Sequence, residues 1–207
     1  MSKSQTFLFY TSTFIFLIMT ILVMTQEELY MDNLLFKLTL SLENSFTNEL
    51  FVLITELGSK TFLIVGTIVL SIVFLLLKKR QDALVLGCLM IGGSCLNLLL
   101  KAVFSRERPE VIMMYDGFGY SYPSNHSMMS FLLYGFLIYF IGKHFHKNSV
   151  TILIQILIAL LIVLIGFSRI YLGVHYASDV WGGFALAAMM LIMADVVREH
   201  FNRRNIH

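Results

Sequence analysis

The sequence predicts an all-α fold: a six-transmembrane-helix bundle with interfacial helices between the first two spans. Three observations predict it. Of 207 residues, 57% are hydrophobic and only 14% charged, with two prolines and a mean hydropathy of +0.79, a departure from soluble averages toward a polytopic membrane protein. The apolar residues gather in six proline-free runs, each near the roughly 20 residues needed to cross the hydrocarbon core. Lysine and arginine sort the loops between those runs into two sets. Six spans leave little chain for a soluble module, so residues 1–207 read as one integral membrane domain.

The first run, residues 7–24, follows a single early lysine, as a secretory signal would. Thr25-Gln26-Glu27-Glu28 come directly after it and offer no small-residue cleavage site, so it reads as a retained span. From Asp32 to Gly58 the chain carries Leu34, Leu35, Leu38 and Leu42 at helical spacing, then a second apolar patch, Leu50 to Leu57, too short to span. Both read as helices in the interface plane, with linker helices capping the bundle as the equal alternative. The remaining spans fall at about 61–77, 83–100, 127–142, 150–167 and 180–197. Gly92-Gly93-Ser94 on the third span and Gly182-Gly183 with Ala185, Ala187 and Ala188 on the sixth predict close helix packing. Trp181 with Tyr115, Tyr120, Tyr122, Tyr171 and Tyr176 suits an interfacial aromatic belt. Cys88 and Cys95, the only cysteines, are about 10 Å apart on one helix and cannot pair.

Lys3, Lys78-Lys79-Arg80, Lys143, Lys147, Arg198, Arg203 and Arg204 fall on one side, which the positive-inside rule makes cytoplasmic, with both termini. His144, His146 and His207 on that side read as solvated, and Asp195 as a carboxylate reaching the interface. On the opposite side Lys101, Arg108 and Arg169 break the rule, and a phosphate to bind would supply the reason. Arg106, Glu107 and Glu110 beside them read as solvated loop charges, with Arg106 a candidate lipid head-group contact.

Three segments on that side need weighing together: Lys101-Ala-Val-Phe-Ser-Arg-Glu-Arg108-Pro109; Tyr122-Pro123-Ser124-Asn125-His126-Ser127; and Ser168-Arg169-Ile-Tyr-Leu-Gly-Val-His175-Tyr-Ala-Ser-Asp179. His175 and Asp179 are four apart, so a helix entering the sixth span puts both on one face. The carboxylate then accepts from one ring nitrogen, fixes the tautomer and leaves the other nitrogen free to attack. His126, opening the fourth span, suits protonation of a leaving oxygen and then activation of water. Ser124 ahead of that helix can cap it or donate to phosphate, and the free N–H groups of the helix start favour an anion. Arg108 and Arg169 present planar forks and Lys101 a point charge, a set that stabilises a phosphoryl transition state without a metal.

These three blocks, in order, resemble the signature of the type 2 phosphatidic acid phosphatase superfamily of membrane lipid phosphatases: Lys, six residues, Arg-Pro; Pro-Ser-x-His; and Ser-Arg, five residues, His, three residues, Asp. The resemblance covers the whole chain, because the compact bacterial phosphatidylglycerophosphate phosphatases of that family are six-helix proteins of this length. It implies that His175 is a nucleophile forming a phosphohistidine, that Asp179 orients it, and that His126 handles protons. It further implies that Lys101, Arg108, Ser124, Asn125 and Arg169 hold phosphate with no metal or other cofactor. The family usually has glycine where this chain has Asn125. A backbone N–H facing phosphate survives that change, asparagine tolerates left-handed angles, and its side chain either crowds the phosphate or adds a hydrogen bond.

The expected function is therefore hydrolysis of a glycerophospholipid phosphate ester, phosphatidylglycerophosphate or phosphatidic acid. The partners expected are the lipid substrate and the bilayer, with no nucleic acid and no obligate protein. The expected localisation is the cell membrane with the site at the outer surface. Undecaprenyl diphosphate is the alternative substrate, since only the phosphoryl group meets the named residues. A lipid phosphotransferase is a second alternative. A non-enzymatic transporter or binding protein is a third, and the apolar character of the spans, with Glu56, Lys60, Asn97 and Asp195 near ends or interfaces, speaks against transport.

Overall fold

The computed structural model describes residues 1–25, 29–109 and 119–204, apart from the side chains of 200–204. Glu110, Tyr115 and His207, weighed above, lie outside the described residues, as do residues 26–28 after the first run. The elements are α1 Lys3–Thr25, α2 Tyr30–Ser41, α3 Ser45–Glu56, α4 Lys60–Leu76, α5 Arg80–Phe104, α6 Asn125–His144, α7 Ser149–Tyr171 and α8 Ala177–Arg204, with no strand among the described residues. Helix starts carry the expected chemistry. Asn44 and Asn148 accept from Thr47 and Thr151 backbone N–H groups while those threonine hydroxyls accept in return, a reciprocal cap that satisfies two otherwise orphan donors.

Four helices, α1, α5, α7 and α8, are each long and apolar enough to cross a membrane. The pair α3 and α4 passes the same test together, bent by 47° at the break between them. The Leu50 to Leu57 patch therefore lies on α3, one arm of a bent helix pair. Its inner face explains the bend: Phe51 and Thr55 are buried, with the Phe51 ring tilted against Tyr171 at 4.3 Å between ring centroids. The seat on α7 outweighs straight continuation of the helix. α2 packs on α7 and α8 and leaves Leu34 and Leu38 half exposed.

Helix α6 lies at the centre, packed on α5, α7 and α8, while α1 runs along α8 and α4 along α5. Its buried Met128, Leu132, Leu133, Phe136 and Phe140 meet Leu86 and Met90 of α5 and Phe74 of α4. Close approach depends on missing side chains. A Cβ on Gly93 would come within 2.4 Å of Leu132, and one on Gly183 within 2.9 Å of the Ser124 carbonyl oxygen. Gly92, predicted to pack, instead faces outward with nothing near it, because a one-residue step turns a helical position about 100°.

Other sequence expectations change for similar reasons. Tyr122 and Tyr171 leave the aromatic belt for the interior: Tyr122 pairs its hydroxyl with Thr20 at 2.9 Å and Tyr171 donates to Asn48 at 2.6 Å. His144 is not solvated but meets Asp82 at 3.0 Å, and Arg198 pairs with the same carboxylate. Asp195, half-buried, accepts from Gln5 at 2.7 Å and from Tyr139. These contacts gather the start of α1, the start of α5 and the ends of α6 and α8 at one end of the bundle. The end of α5, the start of α6, the end of α7 and the start of α8 meet at the other.

Candidate active site

Local sequence shapes each strand of backbone that enters this second end. α7 stops in a Schellman turn: Gly173 N–H bonds the Ile170 carbonyl at 3.0 Å and Val174 N–H the Arg169 carbonyl at 3.2 Å. Gly173 has φ +69°, which a residue without Cβ adopts at little cost. The turn reverses the chain so that His175 N–H also reaches the Arg169 carbonyl, at 3.2 Å. α5 ends at Ser105, whose φ of +46° swings the chain inward toward α8. Asn97, fully buried in α5, donates to the Pro123 carbonyl at 3.1 Å and so anchors the segment leading into α6.

His175 precedes α8 rather than sharing its face with Asp179, because the helix begins at Ala177. The pair still forms. His175 Nδ1 lies 3.3 Å from Asp179 Oδ2, and Asp179, third residue of the helix, accepts from the Tyr176 backbone N–H at 2.9 Å. His175 Nε2 lies 3.2 Å from Arg108 Nη1. A guanidinium only donates, so Nε2 carries the lone pair and Nδ1 the proton, which points to Asp179. Burial pushes His175 down from the ordinary histidine range to about 3, although Asp179 opposes the shift. The ring is therefore a neutral base at physiological pH, with its free nitrogen facing the cations.

Those cations come from three elements. Arg108 is half-buried; it donates from Nε to the Gly119 carbonyl at 2.8 Å and from Nη1 to the Val174 carbonyl at 2.7 Å. Lys101 donates to the Tyr120 and Ser121 carbonyls, the latter at 3.1 Å. Arg169 is buried to 2% exposure and donates to Thr55 of α3 at 2.6 Å. His126 stands near enough to feel the charges of Arg169, His175, Arg108 and Lys101, and a Cβ at Gly58 would lie 3.4 Å from its ring. The structure thus brings Lys101, Arg108, His126, Arg169, His175 and Asp179 to one end of the bundle. Among the described residues no three His, Cys, Asp or Glu side chains converge as a metal cluster.

Ser124 caps α6: it accepts from Ser127 Oγ at 3.0 Å and, weakly, from Ser127 N–H at 3.5 Å. Its own N–H donates to the Asp179 carbonyl at 3.0 Å. Asn125 is the first residue of α6 and half-buried. Its φ is not positive, so the position makes no demand that only glycine meets, and the tolerance of left-handed angles is not drawn upon.

Two site residues escaped the sequence reading. Ser121 is fully buried; its hydroxyl donates to Asp179 Oδ2 and lies 3.1 Å from His175 Nδ1. Arg106, expected as a solvated loop charge, is 8% exposed and pairs with both Asp179 and Asp32. Neither had a periodic signal, since both sit in irregular backbone. Only their closeness in sequence to Arg108 and Tyr122 hinted at them.

The chain is similar to known proteins over most of its length. The family model described as the PAP2 superfamily matches residues 82–202. Phosphatidylglycerophosphatase B of Bacillus subtilis (strain 168) is 30% identical over 193 residues, covering 91% of this chain and 93% of its own. Lipid phosphate phosphatase delta of Arabidopsis thaliana is 34% identical over 74 residues, 35% of this chain and 18% of its own. The crystal structure of a transmembrane PAP2-type phosphatidylglycerolphosphate phosphatase from Bacillus subtilis superposes with a TM-score of 0.85 at 27% identity, over 93% of this chain and 96% of that one. Aquifex aeolicus LpxE superposes with a TM-score of 0.66 at 24% identity over 81% of this chain and 96% of its own, a likeness of fold.

Proposed function

The chain belongs to the PAP2 superfamily, and from that premise we propose that it is a single-domain, multi-pass membrane lipid phosphatase that hydrolyses a glycerophospholipid phosphate ester through a phosphohistidine on His175. One observation carries the reading: a buried, neutral His175 whose Nδ1 is turned to Asp179 and whose Nε2 faces Arg108. In this mechanism a lipid phosphate enters between the ring and Arg108 and takes the fork for its own oxygens. The Nε2 lone pair forms a P–N bond as the ester P–O bond breaks, and His126, protonated once the phosphate's negative charge offsets the surrounding cations, gives that proton to the leaving alkoxide. Asp179 stabilises the charge that grows on the ring. His126 then takes a proton from water, whose oxygen bonds to phosphorus as the P–N bond breaks, releasing inorganic phosphate and restoring His175.

Lys101, Arg108, Arg169, Ser124 and the N–H of Asn125 are the proposed phosphate grip. Removing one such donor costs about 100- to 1,000-fold in turnover when it acts mainly in the transition state. No metal is needed in this scheme, because the charge is met by cations already present. The substrate class is supported by the Bacillus subtilis relative, a phosphatidylglycerophosphatase by name. Six spans follow if α4 and α6 cross as well as the four longest helices. α4, at 17 residues, covers about 25 Å by helical rise, and α6 is sheathed on several sides by other helices. The basic end is proposed as cytoplasmic and the site as outer.

Purified protein is expected to release phosphate from phosphatidylglycerophosphate in the presence of a chelator, and His175→Ala to lose that activity by at least about a thousandfold. Full activity in the variant would sink the phosphohistidine. Turnover compared in one detergent should favour phosphatidylglycerophosphate or phosphatidic acid over undecaprenyl diphosphate; the reverse order would overturn the substrate class. Labelled phosphate appearing on an acceptor lipid instead of in solution would mark a transferase.

A further inference from the structure

Arg106 has no place in the mechanism above, yet it is buried against the centre of it. Its Nη1 donates to Asp179 Oδ1 at 2.7 Å and to Ser178 Oγ at 2.7 Å, its Nη2 to Asp32 Oδ2 at 3.1 Å, and its guanidinium lies 4.0 Å over the Tyr176 ring. Asp32, at the start of α2, is 3% exposed and accepts from the Ser178 backbone N–H and hydroxyl at 2.8 Å each. A buried guanidinium between two buried carboxylates is costly to assemble and strongly destabilising to break. Its geometry also has a direction. Asp179 has two oxygens: Oδ1 is taken by Arg106, and Oδ2 meets Ser121, Tyr176 N–H and His175 Nδ1.

We propose that Arg106 and Asp32 form a positioning pair for the catalytic dyad: Asp32 and Ser178 hold the Arg106 fork, and the fork pins Oδ1 of Asp179 so that Oδ2 stays on His175 Nδ1. The proposal rests on the reading of His175 as nucleophile. Arg106 reaches the substrate nowhere in it; the residue acts through Asp179. A planar fork is required because it must meet two carboxylates at once, which a lysine point charge does not do. The pair also sets the local charge. Arg106 offsets Asp179, and Asp32 in turn offsets Arg106, so the ring faces a carboxylate whose pull is tempered rather than full. The other charged or titratable groups around the ring are Arg108, Lys101, Arg169 and His126, none of which the proposed variants alter.

The test uses the full chain in detergent, with dioctanoyl phosphatidic acid as substrate and Arg106→Gln and Asp32→Asn as variants. Both should lower kcat roughly tenfold to a hundredfold, the usual size when a partner that orients an active-site ligand is lost, with KM within about twofold. Histidine labelled with 15N, its His175 signal assigned by loss in His175→Gln, gives a second readout. Removing the Arg106 cation should raise the His175 pKa, whereas removing the Asp32 anion should lower it. Looser packing alone would let water in and raise both, which overturns the proposal. So does wild-type kcat in either folded variant, or a KM that rises with kcat unchanged, since Arg106 would then grip substrate itself. If Arg106→Gln does not fold, Asp32→Asn decides alone by its kcat and the direction of its shift. An active His175→Ala would sink the phosphohistidine reading instead, so the two failures are distinguishable.

Discussion

Ser121 and Arg106 both spend their side chains on Asp179, so the carboxylate that orients His175 is itself held from two sides. Asp179 favours the charged ring, so it is burial that keeps the imidazole neutral. Desolvation pushes the His175 pKa down to about 3, whereas the unfolded chain titrates near about 6.5. Below that value the unfolded state binds a proton that the native state refuses, so His175 costs no stability above pH 6.5 and increasingly more as pH falls toward 3. The expected slope is up to about 1.4 kcal/mol per pH unit. Thermal unfolding at pH 7.5 and 5.5 should show wild type losing more than His175→Gln, and equal losses would contradict a buried neutral ring. The residue types of the site were readable from the three motif blocks because their chemistry is local. The partners Ser121, Asn97, Thr55 and Asp32 were not: Thr55 and Asp32 are distant in sequence from the blocks, and Ser121 and Asn97, though close to them, carry no mark of which group they would meet.

At the scale of elements, the site depends on how closely α8 meets the start of α6. Gly183 has the Ser124 carbonyl oxygen where a Cβ would need room and the Met128 N–H 3.3 Å away. These are backbone atoms that cannot rotate aside. Gly183→Ala should therefore push α8 off α6, carry Asp179 away from its bond with Ser124 N–H, and cost about 1–3 kcal/mol as overpacking does. A lowered melting temperature together with reduced turnover would bear this out; an unchanged pair would mean that α8 shifts freely. Helix existence was legible because the apolar runs are long and free of proline. The 47° bend between α3 and α4 was not, since it answers to Phe51 and Thr55 finding seats on α7, a contact more than a hundred residues away in sequence.

For the whole molecule, the two polar ends do different work. The site end gathers His175, His126 and their cations, while the other end ties Gln5, Asp82, His144, Asp195 and Arg198 into a clamp across α1, α5, α6 and α8. The proposed sidedness rests on the lysines and arginines at the clamp end. In a Cys88→Ala, Cys95→Ala background, a cysteine replacing exposed Glu43 should react with an impermeant reagent in intact cells, and one replacing exposed His146 only after lysis. The opposite pattern would invert the orientation.

By itself the sequence determined the all-helical class, the apolar runs and the candidate reacting groups. Hydropathy, capping residues and motif spacing are properties of short stretches and act before any tertiary contact forms. Only the tertiary structure decided which charges are solvated and which are spent. Arg106, Asp32, His144 and Asp195 look alike as charged residues near helix ends. Each was assigned its part by the partner that packing brought to it, because a buried charge is stable only where an opposite charge or a donor already waits.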